Sequence, residues 1–550
     1  MSADAQPVPD LSLVEVLEAI GQTRPDEECL VFRDRRLTWA DLEDRTRRLA
    51  NHLLAAGLGC ERERSDLDGH ESGQDHLAIY LHNGNEYLES MVGALKARVA
   101  SLNINYRYVA EELKYVLADS QATAVVVHSQ FAPTLAEVLG DLAPLKAILQ
   151  VPDESGNDLL PGAVWYEDAL ATASSDRPDV EWSPDDLYLL YTGGTTGMPK
   201  GVMWRNGDAM RECFGGSKTA RSIDEFVADA DTGLRSLLAP PFMHGAGHWI
   251  SFRTWLGGGT IVVQDVTDRL DPDDIWRTVE RERVNFLLIV GDAFARPLLD
   301  QLDRGDYDLS SLTVLLSGGA ALSAPLKDEF LAHLPTLMIV DGLGSSEAGG
   351  QVSNVSTGGA ATTGTFPCTP DNVVLSADLD RLLEPGDEEV GWLAKGGRLA
   401  LGYLGDPTKT SATYPVVDGV RYAMPGDRAR LLDDGVGGLG IVELRGRDSV
   451  TINSGGEKIF AEEVEAAIKA HPAVHDCVVA GRPSERWGNE VVAVVRIREG
   501  HEATDDELLV EAARHIARYK LPKQIVRVDE VQRSPSGKAD YRWARSVAAT

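Results

Sequence analysis

Tyr191-Thr-Gly-Gly-Thr-Thr-Gly-Met-Pro-Lys-Gly201 is the stretch on which the reading of this chain turns. It follows an apolar, β-prone run, Leu187-Tyr-Leu-Leu-Tyr191, and consists of glycines, hydroxyls and one lysine. Glycines let successive backbone N–H groups turn toward one anion, hydroxyls add donors, and the lysine adds charge. A strand ending in such a loop is expected to hold phosphate. It is not a Walker A loop, because Lys200 follows proline and is followed by glycine rather than Ser or Thr. A merely solvated loop would need neither the stiff Pro199 nor the apolar strand before it.

The same pattern recurs along the chain. Phe286-Leu-Leu-Ile-Val290 stops at Gly291-Asp292, Val314-Leu-Leu316 at Ser317-Gly318-Gly319, and Leu337-Met-Ile-Val340 at Asp341-Gly342-Leu343-Gly344. Any one of these glycines could serve only a chain reversal. Together they predict strand ends gathered around one crevice, where open α/β sheets bind ligands. From about residue 77 apolar strands alternate with amphipathic helices, the pattern of a layered α/β domain. Residues 13 to 56 read as helical, with Leu13, Val16, Leu17 and Ile20 on one stripe and Leu42, Leu49 and Leu53 on another. Between 372 and 445, short β-prone pieces alternate with Gly, Asp and Pro, as in a small antiparallel barrel or hairpin set. Beyond Arg447 the order is helix 461–470, strands 475–481 and 490–497, helix 505–518 and strand 524–529. The expected fold class is therefore α/β: a large domain over 1–447, including the β-rich subdomain, and a small mobile α+β domain over 448–550.

A chain of 550 residues exceeds what one core usually serves, which agrees with that division. Its formal charge of -33 disfavours nucleic acid and anionic lipid as partners, so an anionic ligand must be received locally. Cys29, Cys60, Cys213, Cys368 and Cys477 are odd in number and never form a CxxC pair, so neither a disulfide framework nor a zinc ribbon is indicated. A reducing, cytoplasmic location follows. No basic-then-apolar leader opens the chain, and no apolar run would span a bilayer. Oligomeric state is not readable, a homodimer being one option.

At the Tyr191–Gly201 loop the chain resembles the adenylate-forming superfamily of acyl-CoA synthetases, adenylation domains and luciferases, and the resemblance extends through almost its whole length. It implies that Thr192, Gly193, Gly194, Thr195, Thr196, Gly197 and Lys200 handle the triphosphate of ATP. Ser317-Gly318-Gly319-Ala320 is similar to the segment lining adenine, giving Gly318, Gly319 and Ala320 that role. Gly344-Ser-Ser-Glu347 resembles the segment in which Ser345 and Ser346 lie against the nucleotide, Ser346 meeting the α-phosphate, and Glu347 binds magnesium. Gly426-Asp427-Arg428 and Gly446-Arg447 match the segments whose Asp427 and Arg447 contact ribose and phosphate. Ser454-Gly455-Gly456-Glu457-Lys458 is similar to the loop shaping the coenzyme A channel, and Ser536-Gly537-Lys538 to the loop delivering the catalytic lysine. His244 would lie near the acyl and ATP sites. Three positions depart from the family: Leu343 stands where an aromatic residue usually stacks on adenine, Ser449-Val450 replaces a charged hinge pair, and Ala-Asp-Tyr-Arg-Trp543 follows Lys538.

These residues suit the chemistry the resemblance implies. A carboxylate is a poor acyl donor until attack on the α-phosphate of ATP converts it to a mixed anhydride with AMP. That transition state concentrates negative charge on phosphoryl oxygens, which preorganised cations and donors stabilise. Ionised Glu347 offers oxygen to magnesium and Asp427 can accept two hydroxyl hydrogen bonds. Singly, Asp427 would be a turn residue, Glu347 a helix-start acid and Lys538 one surface lysine among many; their order and spacing lift them together. No Asp-Ser-Leu carrier motif occurs, so a stand-alone ligase using ATP, magnesium and coenzyme A is expected. The strip Pro240–Trp255 and the loops at Val290–Asp292 and Ser317–Gly319 should line an apolar acyl pocket. Gly291-Asp-Ala-Phe-Ala-Arg-Pro297 and Ile452-Asn-Ser-Gly-Gly-Glu-Lys458 resemble bacterial fatty-acid-type ligases, some acting on steroid side-chain carboxylates. The alternatives are a medium-chain or aryl acid ligase and a catalytically silent nucleotide-binding homologue. Two other motifs are weaker. His244-Gly-Ala-Gly-His248 has metal-ligand spacing, but the Pro and Gly residues around it make a helix improbable. Gly342-Leu-Gly344 opens a dinucleotide fingerprint whose third glycine is Glu347.

Overall fold

The computed structural model describes residues 8–192, 198–358, 361–454, 457–484, 488–534 and 537–550, with the side chains of residues 449, 457 and 458 outside that description. The apolar runs singled out above become neighbours in one eight-stranded sheet. Its order is Gly349–Ser356, Met338–Ser345, Val314–Gly318, Phe286–Ile289, Arg235–Leu238, Thr260–Val263, Glu28–Phe32 and Arg35–Thr38. The inner strands are parallel, so their carboxyl ends meet on one edge. A second sheet, wholly parallel, is built from Ala100–Asn103, His76–Tyr80, Ala124–His128, Ala147–Val151 and Val164–Trp165. Burial of these strands on both faces explains why they read as continuous apolar runs.

The strand Leu187–Thr192 lies between these layers. Leu187–Thr192 pairs antiparallel with Lys200–Arg205, which sets Thr192 opposite Lys200 across the mouth of the loop. Behind it, helices Leu13–Thr23, Trp39–Ala55, Asn85–Lys96 and Gly245–Leu256 fill a shared core. The stretch 13–56 is thus not one helical region. Cys29-Leu-Val-Phe32 is β-prone, and Arg33, at φ 53, turns the chain into a second strand, so a hairpin separates the two helices. An antiparallel sheet follows the order Thr365–Pro367, Ile441–Arg447, Asp427–Leu432, Gly391–Lys395 and Asn372–Leu375, whereas Gly402–Tyr403, inside the 372–445 stretch, pairs with Lys200–Arg205.

Beyond Arg447 comes a separate sheet, Glu457–Phe460, Thr451–Ser454, Gly488–Ile497 and Val474–Ser484, with Gln524–Arg527 added parallel to Gly488–Ile497. Helices Ala461–Lys469 and Asp505–Ala512 pack on one face and Tyr541–Ala548 on the other. The expected helix to 518 ends at Ala512, and only a 3-10 turn at Arg518–Lys520 follows. Among the described residues no helix is long and apolar enough to cross a membrane, and all five cysteines are free thiols.

Helices Trp39–Ala55 and Asn85–Lys96 approach so closely at Gly93 that a Cβ there would lie 2.6 Å from Leu49 Cδ2. Overpacking of this kind costs about 1–3 kcal/mol. Gly93→Ala should therefore lower the first thermal midpoint of the purified protein; an unchanged midpoint would mean that the helix pair yields easily.

Candidate active site

The carboxyl ends of the parallel strands form a crevice, and two buried asparagines bind its parts together. Asn103 donates to the carbonyls of Tyr191 and Met243 at 2.8 and 2.7 Å and accepts from the Tyr191 N–H at 2.8 Å. Asn83 donates to Pro240 and accepts from the Phe242 N–H. Strand Leu187–Thr192 and the Pro240–His244 segment are therefore held in one frame. Sequence reading passed over both asparagines, whose one signal is a polar residue at or just past a strand end.

Contrary to the sequence expectation, the His244 motif does run into a helix, Gly245–Leu256. Packing overrides the poor propensity of its glycines. A Cβ on Gly245 would lie 2.8 Å from Leu190, and one on Gly247 would lie 3.2 Å from the Phe242 backbone, so both glycines permit close approach. His248 lies inside the helix between the hydroxyls of Tyr188 and Tyr87, at 3.0 and 3.3 Å. That satisfies it without a metal, and no metal-holding cluster of His, Cys, Asp or Glu occurs among the described residues. His244 sits at the N-cap position, and its Nε2 finds no hydrogen-bond partner among the described residues. Burial foremost, then the Lys538 charge, push its pKa down to about 3, so the imidazole is neutral. The far end of the strip packs into the core. Phe252 and Trp255 are core, with the Trp255 indole N–H bonded to the Cys29 carbonyl. Only its first turn faces the crevice, where Trp249 packs over Gly245 and Gly344.

Strand Met338–Ser345 passes through a turn into the antiparallel strand Gly349–Ser356, not into a helix, which ends the dinucleotide-fingerprint reading. Ser345 Oγ accepts from the Ala348 N–H inside that turn, and Trp204 Nε1 donates to the Ser346 carbonyl at 2.8 Å. Glu347 Oε1 accepts from the Tyr403 hydroxyl at 2.7 Å, and the Tyr414 hydroxyl donates to its carbonyl. Among the described residues no hydrogen bond engages the second carboxylate oxygen of Glu347. Leu343 packs on the β-rich sheet's core cluster.

Asp427 and Arg447 are register partners on adjacent antiparallel strands, joined by a 3.0 Å hydrogen bond from Arg447 Nε to Asp427 Oδ1. Asp427 is buried, and its Oδ2 has no partner among the described residues. The charge of Asp427 is the foremost influence that keeps Arg447 firmly protonated. Arg428, next in the motif, instead stacks over Trp392 and donates to the Val390 carbonyl. Lys200 pairs with Asp406 at 3.2 Å; its partial burial opposes the charge, but the Asp406 bond more than offsets this and raises its pKa. The predicted residues Gly193, Gly194, Thr195, Thr196, Gly197, Gly455 and Gly456 lie outside the described residues.

Lys538 reaches this crevice from the small unit. A Cβ on Gly319 would lie 3.9 Å from Lys538 Cε, and one on Gly537 would lie 3.1 Å from the Val290 carbonyl. Both glycines have positive φ, +88° and +73°, in the region that favours glycine. Lys538 retains solvent-exposed surface at the seam between the two units. Limited hydration first, then the Arg447 guanidinium, lower its pKa to about 8, while Glu347 and Asp427 act in the opposite direction. The structure thus gathers Lys538, Gly319, Glu347, Asp427 and Arg447 around one point, with neutral His244 near enough to feel the lysine's charge. A cavity of about 290 Å³ beside them is bordered by Asn83, Arg107 and Pro241 of the large unit and Asp476, Arg533 and Gly537 of the small one. It is a polar seam between units.

Parallel strand ends and a lysine delivered by a second unit agree with the class of adenylate-forming enzymes that the sequence motifs resemble. Family profiles agree: that of the AMP-binding enzymes matches residues 17–404 and that of their C-terminal domain residues 463–538. This chain belongs to the AMP-binding enzyme family. It is 52% identical over 540 residues to the medium-chain acyl-CoA ligase Mig of Mycobacterium avium, covering 97% of both chains. It is 38% identical to the 3-oxocholest-4-en-26-oate–CoA ligase of Rhodococcus rhodochrous, covering 97% of this chain and 95% of that one. Its fold is that of the anthranilate CoA ligase AuaEII solved with anthranoyl-AMP, with a TM-score of 0.82 at 21% identity over 100% of this chain and 99% of that one. MatB of Rhodopseudomonas palustris, solved with ATP, gives 0.79 at 23% identity over 98% and 99%.

The site's electrostatics can be tested without any substrate. In a carbon-13 NMR titration of reductively methylated protein, one lysine signal should titrate near pH 8 and vanish in Lys538→Ala. Finding every lysine titrating near or above 10 would contradict the placement of Lys538 between the units.

Proposed function

We propose that this chain is an AMP-forming acyl-CoA ligase acting on an apolar carboxylic acid in two half-reactions. In the first, a carboxylate oxygen attacks the α-phosphorus of ATP, the bond to the bridging oxygen breaks, and pyrophosphate leaves. In the second, the thiol of coenzyme A attacks the acyl carbon, gives up its proton, and displaces AMP. The observation that carries this reading is Lys538, whose Cε comes within 3.9 Å of where a Cβ on Gly319 would lie and whose charge is within electrostatic reach of Glu347, Asp427 and Arg447.

Roles follow from the chemistry of each group. Lys538 meets the charge that builds on the α-phosphoryl oxygens. Two unit charges about 4 Å apart at intermediate dielectric interact by about 4 kcal/mol, and losing that is worth roughly a thousandfold in rate. Asp427 has one oxygen committed to Arg447 and one buried oxygen without a partner among the described residues, which suits a ribose hydroxyl. Arg447 then faces ribose and phosphate. Thr192 and Lys200 flank the loop 193–197 that would receive the outer phosphates, with Lys200 passing from Asp406 to phosphate. Gly318, Gly319 and Ala320 leave room for the base, and Ser345 and Ser346 bring the turn before Glu347 against the α-phosphate. The donor set at Glu347 fits magnesium, a hard cation that takes one or two carboxylates and completes its shell with phosphate and water. Magnesium bound there would neutralise phosphate charge. Neutral His244 can orient the acyl carboxylate but has no proton to give near neutral pH.

The domain division belongs to the same reading. We place the pivot at the 3-10 turn Asp448–Val450, so that residues 448–550 present the Lys538 face for adenylation and the Gly455-Gly456 face for thioester formation. The free thiols are compatible with a cytoplasmic enzyme. Relatives named for medium-chain and sterol-derived acids support a fatty or steroid side-chain substrate.

AMP release dependent on coenzyme A, measured over short, aryl, medium-chain, long-chain and steroid acids, should be greatest for the aliphatic or steroid members; turnover confined to aryl acids would overturn the substrate class. Lys538→Ala should slow pyrophosphate release about a thousandfold, and equal rates would remove Lys538 from the chemistry. Because the ammonium, not the amine, assists, kcat/KM for ATP should hold below about pH 8 and fall above it. Lys538→Arg should carry that limb to higher pH, and an identical limb in both proteins would assign it to another group.

A further inference from the structure

Lys538 is held by a turn whose own supports lie outside the reacting centre. The Ser534 N–H donates to the Lys538 carbonyl and the Gly537 N–H to the Ser534 carbonyl, each at 2.8 Å. Arg533 grips Asp476 through Nε and Nη2, both at 2.6 Å, and Nη1 donates to the Gly537 carbonyl at 3.0 Å. These contacts tie Arg533, Ser534, Gly537 and Lys538 to the small unit, so the aim of Lys538 depends on how that unit is seated.

One ion pair bears directly on the seating. Lys469, the last residue of helix Ala461–Lys469, donates from Nζ to Asp292 Oδ2 at 2.8 Å across the seam, with 17% and 12% of the two side chains exposed. Asp292 is itself fixed: Oδ1 accepts from the Ser323 N–H at 2.7 Å, and its N–H donates to the Ala321 carbonyl. It also adjoins Gly291, whose N–H donates to Ser317 Oγ. The segment carrying it is the platform for the lysine turn, since a Cβ on Gly537 would touch Val290, Ala293 and Phe294. Asp292 thus joins the Ser317–Ala321 segment of the site to the unit that carries Lys538.

We propose that Asp292 and Lys469 are positioning residues for the adenylation half-reaction: their ion pair seats the small unit so that Lys538 points at the α-phosphate, and it must separate before thioester formation. The proposal rests on the acyl-CoA ligase reading. It predicts an asymmetric defect that damage to the fold would not produce.

The test measures the half-reactions separately, as pyrophosphate release in a single turnover and as coenzyme A-dependent consumption of supplied acyl-adenylate. Lys469→Met and Asp292→Asn should each slow the first at least tenfold, in kcat rather than in KM for ATP, and leave the second within twofold. Lys469→Arg should restore most of the loss. Asp292→Asn keeps an acceptor for Ser323, so it carries the test if Lys469→Met folds poorly. In a Lys538→Ala background, Lys469→Met should cost nothing further, because it acts through that lysine. Equal loss in both half-reactions, full activity in both variants, or additivity with Lys538→Ala would overturn the proposal. A wild-type protein releasing no pyrophosphate with any acid would instead remove the ligase reading, and the positioning role with it.

Discussion

A phosphoryl centre under attack by a carboxylate gathers negative charge that a chain of net charge -33 must answer with a few placed cations. Most of this architecture serves that requirement. Parallel strands end together, Gly537 lets its turn approach the Val290 carbonyl, and Lys538 lies beside Gly319. Because the lysine comes from a different unit than the loops it faces, the proposed pivot would let its charge be present for one step and withdrawn for the next. A lysine fixed in the large unit would lack that freedom.

The cations already at the site are kept in check by carboxylates. Arg447 is paired with Asp427 and Lys200 with Asp406. Among the described residues no ion pair engages Lys538; Glu347 and Asp427 favour its charge through space, while Arg447 opposes it. This arrangement leaves Lys538 the cation most ready to respond to an arriving anion. In the proposed reading the pairs fix geometry, and the lysine supplies the differential charge stabilisation on which catalysis depends.

Much of this was legible in the sequence because the signals were local. Strand-then-glycine runs marked the sheet and its crevice, and the motifs around Glu347, Asp427, Arg447 and Lys538 could be matched to a family. What escaped was set by contacts distant in sequence. Asn103 acts on Tyr191 and Met243, Tyr403 on Glu347, and Lys469 on Asp292, at separations that no local pattern encodes. The helix at Gly245–Leu256 was missed for the same reason. Its glycines argue against helix by propensity, but Leu190 and Phe242 leave no room for anything larger. The hairpin inside residues 28–38 was masked by helical stripes on either side.

Oxygen transfer probes the central step most directly. If a carboxylate oxygen attacks the α-phosphorus, an acid labelled with oxygen-18 in its carboxyl group and turned over with ATP and coenzyme A must leave one labelled oxygen in the AMP. Mass spectrometry of the nucleotide should find that single label, with none in pyrophosphate. Unlabelled AMP, or label appearing in a phosphate product, would show that no acyl-adenylate forms on this enzyme.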